Sequence, residues 1–331
     1  MTSGAYVLAP LGPRLTPREA AFFRDADPWG FILFARNVES PDQLRALTAS
    51  LRETVGWHAP ILIDQEGGRV QRLRAPHWRE YLPALDQMAR AADPVRALWL
   101  RNRLIAAELH DVGIDVNCAP LADLVEDGTH PVLRNRLYGA EVETVTAAAR
   151  TTAAALLAGG VLPVLKHIPG YGRATVDSHL TLPTVTASRE ALIARDFAPF
   201  AALTDIAMGM TAHVVYTALD ETAPATTSPV VMQYIRRDIG FRGLLMTDDI
   251  SMQALSGDIA TRTAAALSAG CDLVLHCNGD MAEMQQVVTA ATDLSDAAVR
   301  RSHTALGQRA TPAPIDIPAC QTELEALLAE G

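Results

Sequence analysis

Residues 243–281 read GLLMTDDISMQALSGDIATRTAAALSAGCDLVLHCNGDM. A short apolar run at 244–246 ends in Asp248 and Asp249, a helical pattern covers 259–267, and a second apolar run at 273–275 ends in His276 and Asn278. Strand, helix and strand in this order make a parallel βαβ unit, because two parallel strands need a crossover of about a dozen residues or more. The alternation continues toward the N-terminus. Apolar runs at 6–8, 31–34, 61–63, 116–118, 162–165 and 207–210 complete a set of eight, and helical stretches at 41–55, 95–111, 141–158 and 189–203 lie between them. Eight such units fit a closed (β/α)8 TIM-like barrel of the α/β class better than an open sheet. No Ser/Gly/Pro-rich linker, composition shift or internal side-chain repeat divides the chain, so a single domain is expected. The barrel is assigned to 1–308. Segment 309–331, with prolines at 312, 314 and 318, is expected to form an irregular tail and a short terminal helix on or beside it.

Composition narrows the partners. The chain has 331 residues, 49% of them hydrophobic, which is enough to bury a core without disulfide or metal staples. Its formal net charge is -10, from 38 Asp+Glu against 28 Lys+Arg with no basic run, and this excludes nucleic acid and an anionic membrane surface, whose phosphates demand clustered cations. The four cysteines, Cys118, Cys271, Cys277 and Cys320, form no CxxC and read as buried apolar residues of a reducing compartment, with no metal site. The N-terminus lacks the basic and apolar regions of a signal peptide. The longest apolar stretch, 153–165, is interrupted by Gly159, Gly160 and Pro163 and falls short of the roughly 18–20 residues a membrane span needs. A cytoplasmic monomer is expected.

Residues just past the C-terminal ends of barrel strands meet at one mouth, where barrel enzymes place their sites. In this chain those positions are polar: Arg36 and Asn37, Asp64 and Glu66, Asp123, Lys166 and His167, His213, Asp248 and Asp249, His276 and Asn278. A polar ligand needs donors and acceptors from several loops at once, so the mouth is the expected site.

Asp248 and Asp249 point differently, because successive strand residues alternate. Asp248 suits a nucleophile or charge stabiliser, Asp249 or Ser251 equally suits a helix cap, and the TDD triplet alone does not choose. The loop KHIPGYGRATVDSH, 166–179, holds two glycines and a proline within its first seven residues, which implies mobility, and ends in Asp177 and His179. In an extended segment residues two apart share a side, so Asp177 is expected to orient His179 and favour its protonated form, a tunable acid/base; a surface histidine beside an acid is the plainer alternative. Lys166 closes an apolar run, where an ammonium is costly to desolvate unless a ligand or carboxylate meets it. Asp64 closes another in ILIDQEGGRVQRLR, 61–74, where paired glycines allow a tight turn near a ligand; the structural alternative is that Glu66 simply pairs with Arg69 or Arg72 across the loop. The segment GYGRAT, 170–175, lacks the third glycine of a dinucleotide site. His58, His77, His110, His130 and His303 are assigned no role.

Together, IDQEGGRVQRL at 63–73, KHIPGYG with DSH at 166–179, and TDDISM at 247–252 resemble glycoside hydrolase family 3, specifically its bacterial cytoplasmic β-N-acetylglucosaminidases of peptidoglycan recycling. LFARNVES at 33–40, GIDVNCAPLAD at 113–123, HVVYTALD at 213–220 and AGCDLVLHCNGDM at 269–281 extend the likeness from about residue 5 to about residue 305. The resemblance implies that Asp248 is the catalytic nucleophile and His179 the acid/base, oriented by Asp177. It also implies that Asp64, Arg72, Arg136, Lys166 and His167 bind the N-acetylglucosamine hydroxyls and neighbouring groups. Two departures are visible: the family's usual KHFPGHG is KHIPGYG, with Tyr171 for a loop histidine, and its DRSFG is NRLYG at 135–139, with Arg136 retained.

The chemistry this implies is retaining glycoside cleavage, with a carboxylate to trap the anomeric carbon and an acid to protonate the leaving oxygen. The expected substrate is a saccharide, a muropeptide with terminal N-acetylglucosamine, and no cofactor or metal is called for. A neutral imidazole repels an anionic acceptor less than a carboxylate would, so a β-N-acetylglucosaminide phosphorylase using the same residues is the close alternative. A Schiff-base barrel aldolase through Lys166, a metal-dependent barrel hydrolase and a non-catalytic sugar-binding module are the readings from other classes.

Overall fold

The computed structural model describes residues 3–178 and 180–329. Its strands are β1 (Gly4–Leu8), β2 (Pro28–Leu33), β3 (Ile61–Ile63), β4 (Val116–Asn117), β5 (Leu162–Pro163), β6 (Leu165–Ile168), β7 (Thr184–Val185), β8 (Met208–Thr211), β9 (Val215–Tyr216), β10 (Leu244–Asp249) and β11 (Leu273–Leu275). Nine of them form one sheet in the order β5-β4-β3-β2-β1-β11-β10-β8-β6, and every pairing in it is parallel. Strands β5 and β6 are two halves of one stave, separated by Val164; the first half pairs with β4 and the second with β8. Across the break Val164 N–H donates to the Asn117 carbonyl at 3.0 Å and Lys166 N–H to the Pro120 carbonyl at 3.0 Å. The two ends of the sheet therefore meet, and eight staves close the barrel foreseen from the sequence. Strands β7 and β9 form a separate pair outside it.

All eight apolar runs are strands, and they are short because strand and helix must alternate within about forty residues. Helix starts are fixed chemically. Thr16 and Ser40 each accept from the backbone N–H three residues on, at 3.2 and 3.3 Å, with Pro17 and Pro41 opening the helices Pro17–Ala26 and Pro41–Val55. Proline costs nothing there, since its missing N–H would lack a partner in a first turn. The stretch expected as one helix at 189–203 is instead two, Arg189–Ala194 and Ala198–Ala202. Pro199 is the reason: it cannot donate inside a continuing helix and sits instead in the first turn of the second one.

Residues Ile317–Ala329 form a helix against the helix Pro94–Asp111, with Leu324 buried, Arg96 Nε 2.6 Å from Glu323, and Arg79 Nε donating to Gln321 at 3.2 Å. Upstream, Arg309 Nη2 lies 2.8 Å from the buried Asp115. All four thiols are free; Cys118 and Cys271 are buried as expected, whereas Cys277 and Cys320 are only partly covered. No described helix is long and apolar enough to cross a membrane. Truncating the chain after residue 308 removes both the Leu324 contact and the Arg309 partner of Asp115. The expected outcome is a melting temperature lower by roughly 5 °C or more, read by calorimetry; an unchanged temperature would mean that the tail is no part of the cooperative unit.

Candidate active site

Along each stave side chains alternate between the barrel lumen and the surrounding helices. Ile32, Leu62, Val164, Met246 and Leu275 belong to the lumen cluster. Two residues further along the same side come Phe34, Asp64, Lys166, Asp248 and Cys277, and all five line one cavity of about 250 Å³. The loops add Arg69, Arg72, Arg136, Tyr171 and Ser178, β6 adds His167, and Ile32, Met210 and Leu275 form its apolar floor. A larger cavity of about 620 Å³ lies between Trp29, Trp57, Leu294 and Leu306, away from these groups and beside the N-terminal start of β2. Barrel chemistry sits at the strand C-termini, so the smaller cavity is the candidate site.

Its wall is an ionic network. Lys166 Nζ, 2% exposed, is 2.9 Å from Asp64 Oδ1 and 2.7 Å from Glu66 Oε1. Arg136 grips both oxygens of Glu66 at 2.8 and 2.9 Å, and Arg72 reaches Asp64 Oδ2 at 3.2 Å. Burial alone would raise both acids, but Lys166 and Arg72 hold Asp64 well below the usual carboxylate range, and Arg136 with Lys166 brings Glu66 down to about 2. The Glu66 contribution to stability is therefore present above the pH where an ordinary glutamate ionises and is lost as pH falls toward about 2. Burial would lower Lys166, yet its two carboxylates keep it well above an ordinary lysine. It is a fixed charge, which removes the amine nucleophile a Schiff-base aldolase requires. Arg72 Nε, buried at the wall, has no hydrogen-bond partner among the described residues.

The two aspartates of TDD divide as strand alternation demands. Asp249 is the structural one, accepting from Ser251 N–H at 3.0 Å, Ser251 Oγ at 2.7 Å and Cys277 N–H at 3.2 Å. Asp248 faces the cavity and accepts from the Asp249 N–H at 2.8 Å. Burial pushes its carboxyl up, but His167, His213, that amide and Lys166 together set it below an ordinary aspartate, so it is ionised at neutral pH. His213 is buried between Thr226 Oγ1 at 2.7 Å and the Asp249 carbonyl at 3.0 Å, and burial lowers its pKa. A neutral ring fits both contacts, with Nε2–H donating to the carbonyl and Nδ1 accepting from the hydroxyl.

His167 lines the cavity with its Nδ1 2.8 Å from Asp123. Asp123 also accepts from the Tyr171 N–H at 2.6 Å, and the Tyr171 ring meets the His167 ring edge-on at 5.4 Å. The Tyr216 hydroxyl donates to the Gly170 carbonyl at 2.6 Å, and Thr129 Oγ1 to the Gly172 carbonyl at 2.7 Å. The loop expected to be mobile is thus tied down over its first half. Its second half bends: the amides of Leu180 and Thr181 both donate to the Asp177 carbonyl at 3.0 Å, so Asp177 begins a turn rather than sitting in an extended run. Asp177 lies near enough to Arg69 and Tyr171 for its charge to bear on both. His179 lies outside the described residues.

Of the residues singled out from the sequence, Asp64, Arg72, Arg136, Lys166, His167 and Asp248 converge on the cavity. Others at strand ends do not. His276 Nε2 is 3.0 Å from Glu283, which also accepts from Asn278 at 2.5 Å; Asn37 donates to the Pro10 and Gly12 carbonyls, and Arg36 to the Cys277 carbonyl at 2.6 Å. These brace loops. Glu66 pairs with Arg136 and Lys166, and the alternative pairing with Arg69 or Arg72 does not form, because Arg72 goes to Asp64 and Arg69 donates to the Val132 carbonyl. Sequence reasoning left Phe34 and Cys277 out of the site; stepping two residues past each lumen-facing apolar residue finds both.

Residues 18–306 match the family model of the glycosyl hydrolase family 3 N terminal domain. The chain is 41% identical over 278 residues to a β-hexosaminidase of Methylococcus capsulatus, an alignment covering 81% of each protein. It is 38% identical over 286 residues to a β-hexosaminidase of Alkalilimnicola ehrlichii, covering 84% of this chain and 82% of that one. Among solved structures, native NagZ from Neisseria gonorrhoeae matches with a TM-score of 0.85 at 32% identity over 99% of this chain and 97% of the other. A glycoside hydrolase family 3 β-N-acetylglucosaminidase from Paenibacillus sp. str. FPU-7 matches with a TM-score of 0.87 at 27% identity, over 98% and 67%. A likeness this long, laid over a closed barrel with its polar cavity at the strand ends, means that the chain belongs to glycosyl hydrolase family 3 and is a glycosidase of the β-N-acetylhexosaminidase class.

Proposed function

We propose that this glycosidase is a retaining exo-β-N-acetylglucosaminidase that releases terminal non-reducing N-acetylglucosamine from cytoplasmic muropeptides, GlcNAc-1,6-anhydro-MurNAc with or without peptide, in peptidoglycan recycling. It acts as a monomer, with 1–308 as its catalytic barrel. The observation that carries the reading is an ionised Asp248 opening into a cavity scaled to one sugar ring and walled by fixed charges. A cavity of that size with an apolar floor favours removal of one terminal residue over cleavage inside a chain.

In the first step an Asp248 oxygen attacks C1 of the sugar, the C1–O bond to the aglycone breaks, and the departing oxygen takes a proton from the His179 imidazolium. In the second, water gives a proton to the neutral imidazole and its oxygen to C1, freeing the Asp248 carboxylate. Two inversions retain the β configuration. Asp177 orients the ring and stabilises its cationic form. Asp64 accepts from sugar hydroxyls. Two of the three Lys166 N–H groups go to Asp64 and Glu66, which leaves the third, with Arg72 Nε, Arg136 and His167, to donate to the substrate.

Incubation with a 2-fluoro or 5-fluoro N-acetylglucosaminide inactivator is expected to label the peptide that contains Asp248, read by mass spectrometry. Asp248→Ala should lose the label and roughly 10³-fold or more in kcat/KM; labelling elsewhere would refute the nucleophile. Inorganic phosphate distinguishes acceptors, because accumulation of the sugar 1-phosphate would reassign the protein as a phosphorylase.

His179→Ala is expected to lose about 10²–10⁴-fold on substrates with poor leaving groups and far less on activated aryl glycosides, because an acidic leaving group needs little proton assistance. Equal losses on both would contradict the acid role. The pH profile separates the two groups. A general acid works while protonated, so activity falls as pH rises through the imidazole pKa, and that alkaline limb should vanish in His179→Ala. Asp248 works while ionised, and its depressed pKa puts its acid limb below the ordinary aspartate range.

A further inference from the structure

The loop after β6 is held in two unequal parts. Gly170, Tyr171 and Gly172 are each tied to neighbouring loops, through Tyr216, Asp123 and Thr129. The stretch that carries Asp177 and His179 starts five residues after Gly172, and it is reached from the anchored part by the Tyr171 side chain. The Tyr171 hydroxyl donates to Ser178 Oγ at 2.8 Å and accepts from the Ser178 N–H at 3.0 Å. One phenol thus grips both the backbone and the side chain of the residue between Asp177 and His179. Both partners are buried, Tyr171 at 7% and Ser178 at 3% exposed, so water competes weakly for these bonds.

We propose that Tyr171 is a positioning residue, a latch that holds Ser178, the residue between Asp177 and His179 in sequence, at the cavity wall. The inference rests on the reading of His179 as the proton donor. Three observations support it. Tyr171 lines the same cavity as Asp248, so a contact made by its hydroxyl is made at the wall of the site. Its edge-on contact with His167, which Asp123 fixes, sets the direction in which the hydroxyl reaches. Burial pushes the phenol pKa up, with the charges of Asp248 and Asp177 acting in the same sense, so the proton donated to Ser178 stays on throughout the neutral range. A histidine here, as in the family's usual motif, has no hydroxyl able to donate and accept at one atom. This chain therefore fixes its acid/base segment by a contact of its own.

Tyr171→Phe keeps the ring and removes the latch. The readout is kcat/KM for a series of aryl and alkyl N-acetyl-β-glucosaminides of increasing leaving-group pKa, with Ser178→Ala, the double variant and His179→Ala measured alongside. A misplaced acid costs most where proton assistance matters most. Tyr171→Phe should therefore lose about tenfold or more on the poorest leaving groups and several-fold less on activated ones, in kcat rather than KM. Ser178→Ala, which keeps the backbone bond, should shift the same way by less, and the double variant should be no worse than Tyr171→Phe by more than about twofold, since both changes break one contact. Normal leaving-group dependence in His179→Ala beside uniform loss, or no loss, in Tyr171→Phe overturns the latch alone. No leaving-group dependence in His179→Ala overturns the acid assignment and this inference with it. If Tyr171→Phe does not fold, Ser178→Ala decides in its place.

Discussion

The structure depends on one buried ammonium. Lys166 sits between Asp64 and Glu66 where two staves of the barrel end, and burying any one of these charges alone would cost several kcal/mol. The site solves this by balance: Lys166, Arg72 and Arg136 face Asp64, Glu66 and Asp248. Remove one member and its partner is left as an unpaired charge in a dry wall, which is why the network specifies a geometry more than it adds stability. It also favours the ionised form of Asp64, Glu66 and Asp248, and such fixed charges act on a reacting sugar with little reorganisation.

The same economy governs the histidines. Each imidazole near Asp248 is committed by its other contacts: His167 to Asp123, and His213 to Thr226 and the Asp249 carbonyl. Under the proposed mechanism proton transfer belongs to the DSH sequence, which lies outside the barrel staves, and a loop can present a group from above where a stave presents it only from the wall.

Much of this was legible in the chain. The apolar runs gave all eight staves, since strand length and crossover length leave few other parallel arrangements. The strand ends gave Asp64, Lys166, His167 and Asp248. What escaped did so for physical reasons. Polarity at a strand end does not tell whether a side chain faces the lumen, so His276, Asn278 and Asn37 looked like ligand groups although each is spent on a neighbouring loop. The partner of Glu66 is an arginine 70 residues away, and local spacing favours the nearer Arg69 and Arg72. The loop at 166–179 reads as mobile from its glycines and proline, whereas residues 170–172 are held by Asp123, Thr129 and Tyr216, none of which is near them in sequence.

Among the described residues the cavity has an apolar floor and opens at the strand C-termini. Ile32, Met210 and Leu275 seal it from below, so whatever enters through the mouth must leave by the mouth. Under the proposed reaction the aglycone, lying outermost, departs first, and the monosaccharide cannot escape until it has gone. Turnover in such a blind pouch is ordered by shape alone. The sugar released last competes with the next substrate for the same walls, so accumulated monosaccharide slows the enzyme without any second site.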